Sequence, residues 1–209
     1  MDDKKPTICV GIPCYNQAQY LAQAIESVLS QTFKPHEIIV VNDGSPDNTS
    51  EVAKQYPIKY IEQVNKGLPS ARNTIIMNSN SDYLLFLDAD DMMLENCIER
   101  ITQVIEGTDA DIVAPSFKTF GTTNEVVILM ENPTFEDFMT ANRIGYFSAI
   151  SRDALLEVGG YSPKMVWGWE DYHLWFDLLS RGKKILTMPE VLILYRTKDK
   201  SMIQESNKH

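Results

Sequence analysis

The sequence predicts an α/β fold with a mostly parallel, Rossmann-like central sheet that helices cover on both faces. Short runs that are apolar throughout recur along the first half of the chain, and segments with helical spacing separate them. Parallel strands buried on both faces have this continuous apolar character and need crossover connections, usually helices. Because right-handed crossovers bring the carboxyl ends of such strands to one edge, we expect the ligand site just beyond those ends.

The predicted elements follow one another closely along the chain. The strand candidates are the apolar runs at residues 7–12, 38–41, 58–61, 83–87 and 112–114. Apolar residues at helical spacing predict helices at residues 18–29 and 68–77, the second with Pro69 near its start. Ser45-Pro46 indicates another helix start, with Ser45 as the N-cap and proline at the first helical position. Later, Gly159-Gly160-Tyr161 predicts a turn, and an amphipathic helix begins near Glu170.

Composition limits the classes of function. A chain of 209 residues that is 44% hydrophobic and 23% charged suits one globular domain. Its net charge of −10 argues against nucleic acid as a partner. The first apolar run is too short for a signal peptide, no stretch is long enough for a transmembrane helix, and the three cysteines match no zinc pattern. We therefore expect a cytoplasmic protein, with peripheral association at the cytoplasmic membrane face left open.

The triplet Asp88-Ala89-Asp90 comes directly after the apolar run at residues 83–87. In extended backbone, residues two apart point the same way, so Asp88 and Asp90 can face one point while Asp91 faces elsewhere. Two neighbouring carboxylates repel each other unless a cation neutralises them, and hard oxygen ligands select Mg²⁺ or Mn²⁺. The triplet therefore predicts a metal site. The alternative is a polar turn that caps a helix near Glu95, and Asp91 alone is expected in a cap or turn.

Two further residues lie where the sheet edge is expected. Asp43 follows the run at residues 38–41, and its carboxylate either accepts a hydrogen bond from a base or ribose or forms an Asx-turn. Arg72 is expected in the first turn of its helix, where the helix dipole does not favour a cation. A bound diphosphate would account for this arginine, and a solvated surface arginine is the alternative.

The segment Trp167-Gly168-Trp169-Glu170-Asp171 precedes the last amphipathic helix. Carboxylates are stabilised at a helix start, so Glu170 and Asp171 can be capping residues. The functional alternative is that Asp171 is a general base directed into a cleft. Trp167 or Trp169 can form a sugar-stacking wall beside it, or each can be a core residue.

Together these elements resemble the family 2 glycosyltransferases, which are inverting enzymes of the GT-A fold. The resemblance runs from about residue 7 to residue 201 and depends on the order and spacing of short motifs. They are Pro13-Cys14-Tyr15-Asn16, Val41-Asn42-Asp43-Gly44-Ser45, Lys66-Gly67 with Ala71-Arg72-Asn73, Asp88-Ala89-Asp90-Asp91, Gly159-Gly160-Tyr161, Glu170-Asp171 and Tyr195-Arg196.

This resemblance implies one domain, with a nucleotide-sugar-binding lobe over residues 1–115 and an acceptor-binding lobe over residues 116–209. It implies that Asp43 bonds the base and that Asp171 is the catalytic base, with Glu170 beside the acceptor or sugar. The full set of residues implied to bind the nucleotide sugar is Pro13, Tyr15, Asn16, Asp43, Arg72, Asp88 and Ala89.

The metal implied by the resemblance is Mn²⁺ or Mg²⁺, bridging the diphosphate. Asp90 is its expected main protein ligand, with Asp88 beside it. The sequence departs from the family at one point, because many members have histidine where this chain has Lys198. A protonated lysine is not a metal ligand, so we expect Lys198 to offer its charge to the diphosphate.

The implied function is transfer of a sugar from a nucleotide-diphospho-sugar, with UDP as the expected nucleotide, to an acceptor hydroxyl. Such a reaction would serve the synthesis of cell-wall polysaccharide, lipopolysaccharide or another glycan. Glycan, lipid-linked and protein acceptors all stay open. Two rival functions also stay open. One is a phosphohydrolase of the haloacid dehalogenase type, which also places Asp-x-Asp after a strand, and the other is a nucleotide-sugar-binding protein without activity.

Overall fold

This computed structural model describes residues 5–166 and 168–199. Its strands form one nine-stranded sheet. In chain order the elements are β1 (Ile8–Cys14), α1 (Ala18–Leu29), β2 (Glu37–Asp43), α2 (Thr49–Ala53), β3 (Lys59–Gln63), α3 (Leu68–Asn78), β4 (Tyr83–Phe86), β5 (Met92–Met93), α4 (Cys97–Glu106), β6 (Ile112–Gly121), β7 (Val126–Val127), α5 (Phe135–Phe138), β8 (Ala149–Ser151), α6 (Arg152–Val158), α7 (Glu170–Ser180) and β9 (Ile185–Thr197).

The strands are ordered β3-β2-β1-β4-β8-β6-β9-β5, and β7 pairs with β6. The first four strands are mutually parallel, as the sequence predicts. Beyond β4 the direction changes, because β8 pairs antiparallel with both β4 and β6, while β9 runs parallel to β6. Strand β6 passes through residue 115, the predicted boundary between the two lobes, so the sheet is continuous across it.

Helices cover both faces of the sheet, and the apolar strands explain why. Along β1, Val10 and Ile12 belong to the cluster packed against α1 and α4, whereas Cys9 belongs to the cluster packed against α3, α6 and α7. Alternate side chains of a strand point to opposite faces, so a strand apolar throughout contributes to two cores at once. Among the described helices, none combines the length and the apolar character needed to cross a bilayer.

One predicted helix start is wrong. Helix α2 begins at Thr49 and not at Pro46, so Ser45 is not its N-cap. The Oδ1 of Asn42 accepts a hydrogen bond from the backbone N–H of Ser45 at 2.8 Å, and the Asp47 carboxylate accepts the hydroxyl of Thr49 at 2.6 Å. Such local side-chain hydrogen bonds compete with helix formation, and here they hold residues 45–48 in a turn.

Gly44 sets how closely two loops approach at the sheet edge. Its φ is +67°, in the left-handed region that favours glycine, and a Cβ added there would lie 2.7 Å from the backbone nitrogen of Asn65. Residues 65–67 therefore lie directly against the end of β2. This close approach brings the start of α3 to the carboxyl ends of β1 and β2.

Replacing Gly44 with alanine should destabilise the protein by about 3 kcal/mol, because a backbone clash adds to the conformational cost. The matched control is Gly182→Ala, where φ is +75° but an added Cβ would meet no other heavy atom of the described residues within 4 Å. We expect that control to cost only about 1 kcal/mol. Urea unfolding of both variants measures the difference, and equal losses would show that the contact with Asn65 has no energetic weight.

Candidate active site

Two adjoining cavities lie at the edge where the parallel strands end. The first has a volume of about 600 Å³ and is bordered by the ends of β1, β2 and β4 and by the start of α3. The second, of about 480 Å³, lies between that edge, the start of α7 and the end of β9. Both are lined by Gln17, Leu68 and Asp88, so the two cavities form one cleft.

The predicted site residues divide between these cavities. The first cavity is lined by Pro13, Tyr15, Asp43, Asp88 and Ala89. The second is lined by Arg72, Asp88, Asp90, Trp169, Glu170, Asp171 and Lys198. Residues separated by more than 180 positions in the chain therefore meet at one edge, and Asp88 is common to both cavities.

Asn16 is the predicted binding residue that lies apart from the cleft walls. Its side chain is exposed, its backbone is left-handed with φ of +54°, and its N–H donates to the Oγ of Ser45 at 2.6 Å. Of the described residues in this turn, Gln17 lines both cavities instead. No sequence signal distinguished Gln17, because a glutamine before a helix has no characteristic spacing.

Asp43 holds the loop that follows β3. Its buried carboxylate accepts hydrogen bonds from the side chain of Gln63 at 2.7 Å and from the backbone N–H groups of Lys66 and Gly67 at 3.0 and 2.8 Å. The Asx-turn expected as an alternative is made by the preceding residue, Asn42. A carboxylate can accept about four hydrogen bonds, so Asp43 retains capacity towards the first cavity that it lines.

Arg72 is fully buried between two carboxylates. Its guanidinium lies 2.9 Å from Asp88 Oδ1 and 2.8 Å from Glu170 Oε1. Its carbon Cζ also lies 4.8 Å from the centre of the Tyr146 ring. The surface arginine expected as an alternative is therefore excluded. The carboxylates of Asp88 and Glu170 account for a cation near the start of α3. The predicted contact of Arg72 with a diphosphate stays a prediction, because its guanidinium is buried and paired with these two carboxylates.

Burial works against the charge of Asp88. It raises the pKa of this carboxyl to about 6, although the adjacent Arg72 opposes the shift. The negative charge of nearby Asp90 raises the pKa further. Asp88 is thus a carboxylate whose ionised form depends on nearby positive charge.

Asp90 and Asp91 have different partners, but the extended backbone expected for this triplet is wrong. Residues 88–91 form a turn that the N–H of Asp91 closes by donating to the carbonyl of Asp88 at 3.0 Å. Lys198 places its Nζ 2.5 Å from Asp90 Oδ2 in the cleft. Asp91 is buried, and its carboxylate accepts the backbone N–H of Arg196 at 2.7 Å and the hydroxyl of Tyr146. Asp91 therefore lies in a turn, one of the two positions expected for it, and its carboxylate holds β9 against this turn instead of capping a helix. Helix α4 begins at Cys97 with Asn96 as its N-cap, which excludes the alternative that this acidic segment caps it.

The two carboxylates of the triplet suit a divalent cation when a diphosphate completes its coordination. Asp88 and Asp90 both line the second cavity, and Mg²⁺ sites often use only one or two carboxylates together with substrate phosphates. Among the described residues there is no group of three or more His, Cys, Asp or Glu that could hold a metal by themselves. The donor set therefore fits a metal shared with a nucleotide, and Lys198 would have to leave Asp90 when the metal binds.

Asp171 is the second residue of α7 and lines the same cavity as these carboxylates. Burial raises its pKa, the charge of Glu170 adds to this effect, and Arg72 opposes it. The Nδ2 of Asn142 donates to Asp171 Oδ2 at 3.0 Å, and the backbone N–H of Tyr172 donates to Oδ1 at 2.7 Å. A raised pKa makes a carboxylate a better proton acceptor, so this environment suits a general base.

The residues next to Asp171 have different surroundings. Trp169 is 49% exposed, has a left-handed backbone with φ of +64° and lines the second cavity, so it is not a core residue. Glu170 also lines that cavity, but its carboxylate is paired with Arg72. Trp167 lies outside the described residues.

A sequence profile described as "Glycosyl transferase family 2" matches residues 9–173, most of the chain. The chain belongs to this family. Two curated relatives are glycosyltransferase GlyA of Streptococcus pneumoniae serotype 4 (strain ATCC BAA-334 / TIGR4) and the uncharacterized glycosyltransferase EpsJ of Bacillus subtilis (strain 168). The first is 39% identical over 125 residues, which are 57% of this chain and 18% of GlyA. The second is 38% identical over 117 residues, which are 54% of this chain and 34% of EpsJ.

Solved structures of S. aureus TarS have the same fold. The TarS 1-349 complex with UDP superposes with a TM-score of 0.80 at 16% identity, over 96% of this chain and 63% of that one. The complex with UDP-GlcNAc gives a TM-score of 0.79 at 16% identity, over 95% and 60% of the two chains. This likeness confirms the predicted GT-A fold. The chain spans only part of each of these relatives.

Replacing Arg72 with methionine should lower the free energy of unfolding by about 3–5 kcal/mol, because Asp88 and Glu170 would lose the cation between them. The matched control is Arg181→Met. Arg181 lies 4.0 Å from Glu157, both side chains are about half exposed, and such a pair contributes about 0–1 kcal/mol. Urea unfolding measures both losses. Similar small losses in the two variants would contradict a structural role for the buried ion pairs.

Proposed function

We propose that this glycosyltransferase transfers a sugar, with inversion, from a UDP-sugar to an acceptor hydroxyl in the synthesis of a glycan. The observation that carries the proposal is the position of Asp171. It borders the cavity that Asp88 and Asp90 also line, it does not line the first cavity, and burial raises the pKa of its carboxyl. A single inverting displacement requires a base that borders the reaction cavity but lies apart from the nucleotide, and Asp171 meets both conditions.

The first cavity is the proposed nucleotide site. Its volume of about 600 Å³ is in the range of pockets that hold small ligands and cofactors, roughly 300–1,000 Å³. Asp43 lines it with capacity for another hydrogen bond, which suits an N–H of a uracil base. The complexes of TarS with UDP and UDP-GlcNAc support a uridine donor for this chain.

The second cavity is the proposed site of the diphosphate and the transferred sugar. Asp90, with Asp88, would hold Mn²⁺ or Mg²⁺, whose chemistry there is to neutralise charge on the departing diphosphate. Lys198 already lies in this cavity, and once its ion pair with Asp90 opens, its ammonium can pair with a phosphate oxygen. Arg72 pairs with both Asp88 and Glu170 and so links the end of the parallel sheet to the start of α7.

In the proposed reaction, Asp171 accepts the proton of the acceptor hydroxyl as that oxygen forms a bond to the anomeric carbon. The bond between this carbon and the diphosphate oxygen breaks, and its electron pair leaves with the diphosphate. One displacement of this kind inverts the anomeric centre. The hydrogen bond from Asn142 keeps one carboxylate oxygen of Asp171 oriented during the proton transfer.

Asp171→Asn should reduce sugar transfer at least about 100-fold, because general base catalysis typically contributes 10²–10⁴-fold and an amide cannot accept this proton. Affinity for UDP should be unchanged, since the first cavity does not include Asp171. Asp177→Asn, on the same helix and partly exposed beside His173, is the matched control. Transfer is measured as UDP released in the presence of acceptor. Normal turnover by Asp171→Asn would eliminate Asp171 as the base.

A further inference from the structure

A third cavity adjoins the second cavity at Asp171. Its volume is about 660 Å³, and it shares Tyr146, Asp171 and Tyr195 with the second cavity of the cleft. Among the described residues, it has no lining residue in common with the first cavity, so a ligand in the third cavity can reach the proposed base without entering the proposed nucleotide site. A displacement with inversion needs its attacking hydroxyl to approach separately from the leaving group, and such a cavity allows this.

The walls of the third cavity are mainly apolar and aromatic. The rings of Phe117, Phe147 and Tyr195 pack against one another with centroid separations of 5.1, 5.9 and 6.3 Å. At the rim, Ile128 and Met130 line the cavity and are 56% and 47% exposed. Exposed apolar side chains around a cavity indicate a ligand that buries apolar surface.

Asn142 is the polar feature that specifies the rest of the ligand. Its Nδ2 donates to Asp171, while its Oδ1 is buried and accepts no hydrogen bond from the described residues. Reversing the amide would place Oδ1 against the carboxylate of Asp171, so the hydrogen-bond network fixes this orientation. A buried acceptor without a partner is costly, and a hydroxyl of a ligand in this cavity would satisfy it.

The cation that lines this cavity, Arg143, already has protein partners. Arg143 donates from Nε to the backbone carbonyl of Asp137 at 3.0 Å, and its guanidinium also contacts the hydroxyl of Thr140. It is therefore directed towards the end of α5, and these contacts give no reason for an anionic ligand. The chemistry of the cavity is that of hydroxyl groups next to apolar surface.

We propose that the third cavity is the acceptor site and that the acceptor is a sugar carried on an apolar group, with Asn142 as its positioning residue. This inference depends on the proposed transfer reaction. One hydroxyl of the acceptor sugar donates to Asp171 and is the one that attacks. A neighbouring hydroxyl donates to Asn142 Oδ1, and the apolar group packs between Phe117 and Ile128.

The test uses the full chain saturated with UDP and compares phenyl glycosides with methyl glycosides of the same sugars. We expect the best phenyl glycoside to bind at least about 10-fold more tightly than its methyl counterpart, since the larger apolar group is buried. Ile128→Ser should remove most of that preference. Val126→Ser is the matched control, because Val126 is 58% exposed on the same segment but does not line the cavity. Titration followed by ligand NMR measures the affinities.

Asn142 is tested with acceptors that each lack one hydroxyl. Asn142→Ala should weaken the complete phenyl glycoside about 5-fold or more, but it should hardly affect the analogue that lacks the hydroxyl bound by Asn142. A merely structural role would weaken the complete glycoside and all its deoxy analogues equally. Equal affinities for phenyl and methyl glycosides, or equal effects of Ile128→Ser and Val126→Ser, would overturn the inference. Failure to bind UDP at all would instead count against the proposed function.

Discussion

The buried ion pairs of Arg72 are the interaction on which the active-site cleft depends. One guanidinium joins α3, the end of β4 and the start of α7 through Asp88 and Glu170. Asp88 and Glu170 lie 16 and 98 residues from Arg72 in the chain. Planar, permanently charged guanidinium groups suit this bridging role, whereas a lysine could not make both contacts in the same geometry. Glu170, the first residue of α7, is thereby fixed relative to the end of the parallel sheet.

The cleft gathers more negative than positive charge, and this imbalance explains its predicted chemistry. Among the described residues, four carboxylates line the second cavity, those of Asp88, Asp90, Glu170 and Asp171, and three cations compensate part of their charge, those of Arg72, Arg196 and Lys198. Burial raises the pKa of both Asp88 and Asp171, and the neighbouring carboxylates of Asp90 and Glu170 add to these shifts. For each, the folded protein holds its proton more tightly than the unfolded chain, so their contribution to stability is lost as the pH rises through the raised pKa. Added positive charge near Asp88 would therefore stabilise the folded state at neutral pH.

The parallel half of the fold could be predicted because its signal is local. Strands apolar throughout, such as β1, and carboxylates directly after a strand, such as Asp88 and Asp90, are visible in single segments. The predicted start of α2 was wrong because the hydrogen bonds of Asn42 and Asp47 outweigh the preference of Ser45-Pro46 for a helix start. Helical propensity says nothing of such competing contacts.

In the second half the helix that begins at Glu170 could be predicted from its amphipathic pattern, but most of the strands and the detailed partners in the cleft could not. Strands β8 and β9 are recognised only by their pairing with β4 and β6, which joins residues far apart in sequence. The partners of Arg72, the pairing of Lys198 with Asp90 and the part of Gln17 in both cavities are likewise tertiary facts. The resemblance to the family supplied the order of the motifs, but not which cation meets which carboxylate.

The proposed reaction depends most on Asp90, which we propose couples a divalent metal to a uridine diphosphate in this cleft. The most direct measurement is the affinity for UDP with Mn²⁺ and with chelator, in the unmodified chain and in Asp90→Ala. We predict that Mn²⁺ raises the affinity of the unmodified chain by about 10-fold or more, in the range of typical coupling free energies between ligands, and that Asp90→Ala loses this gain. An equal affinity with and without metal in the unmodified chain, or an undiminished gain in Asp90→Ala, would contradict this role of Asp90.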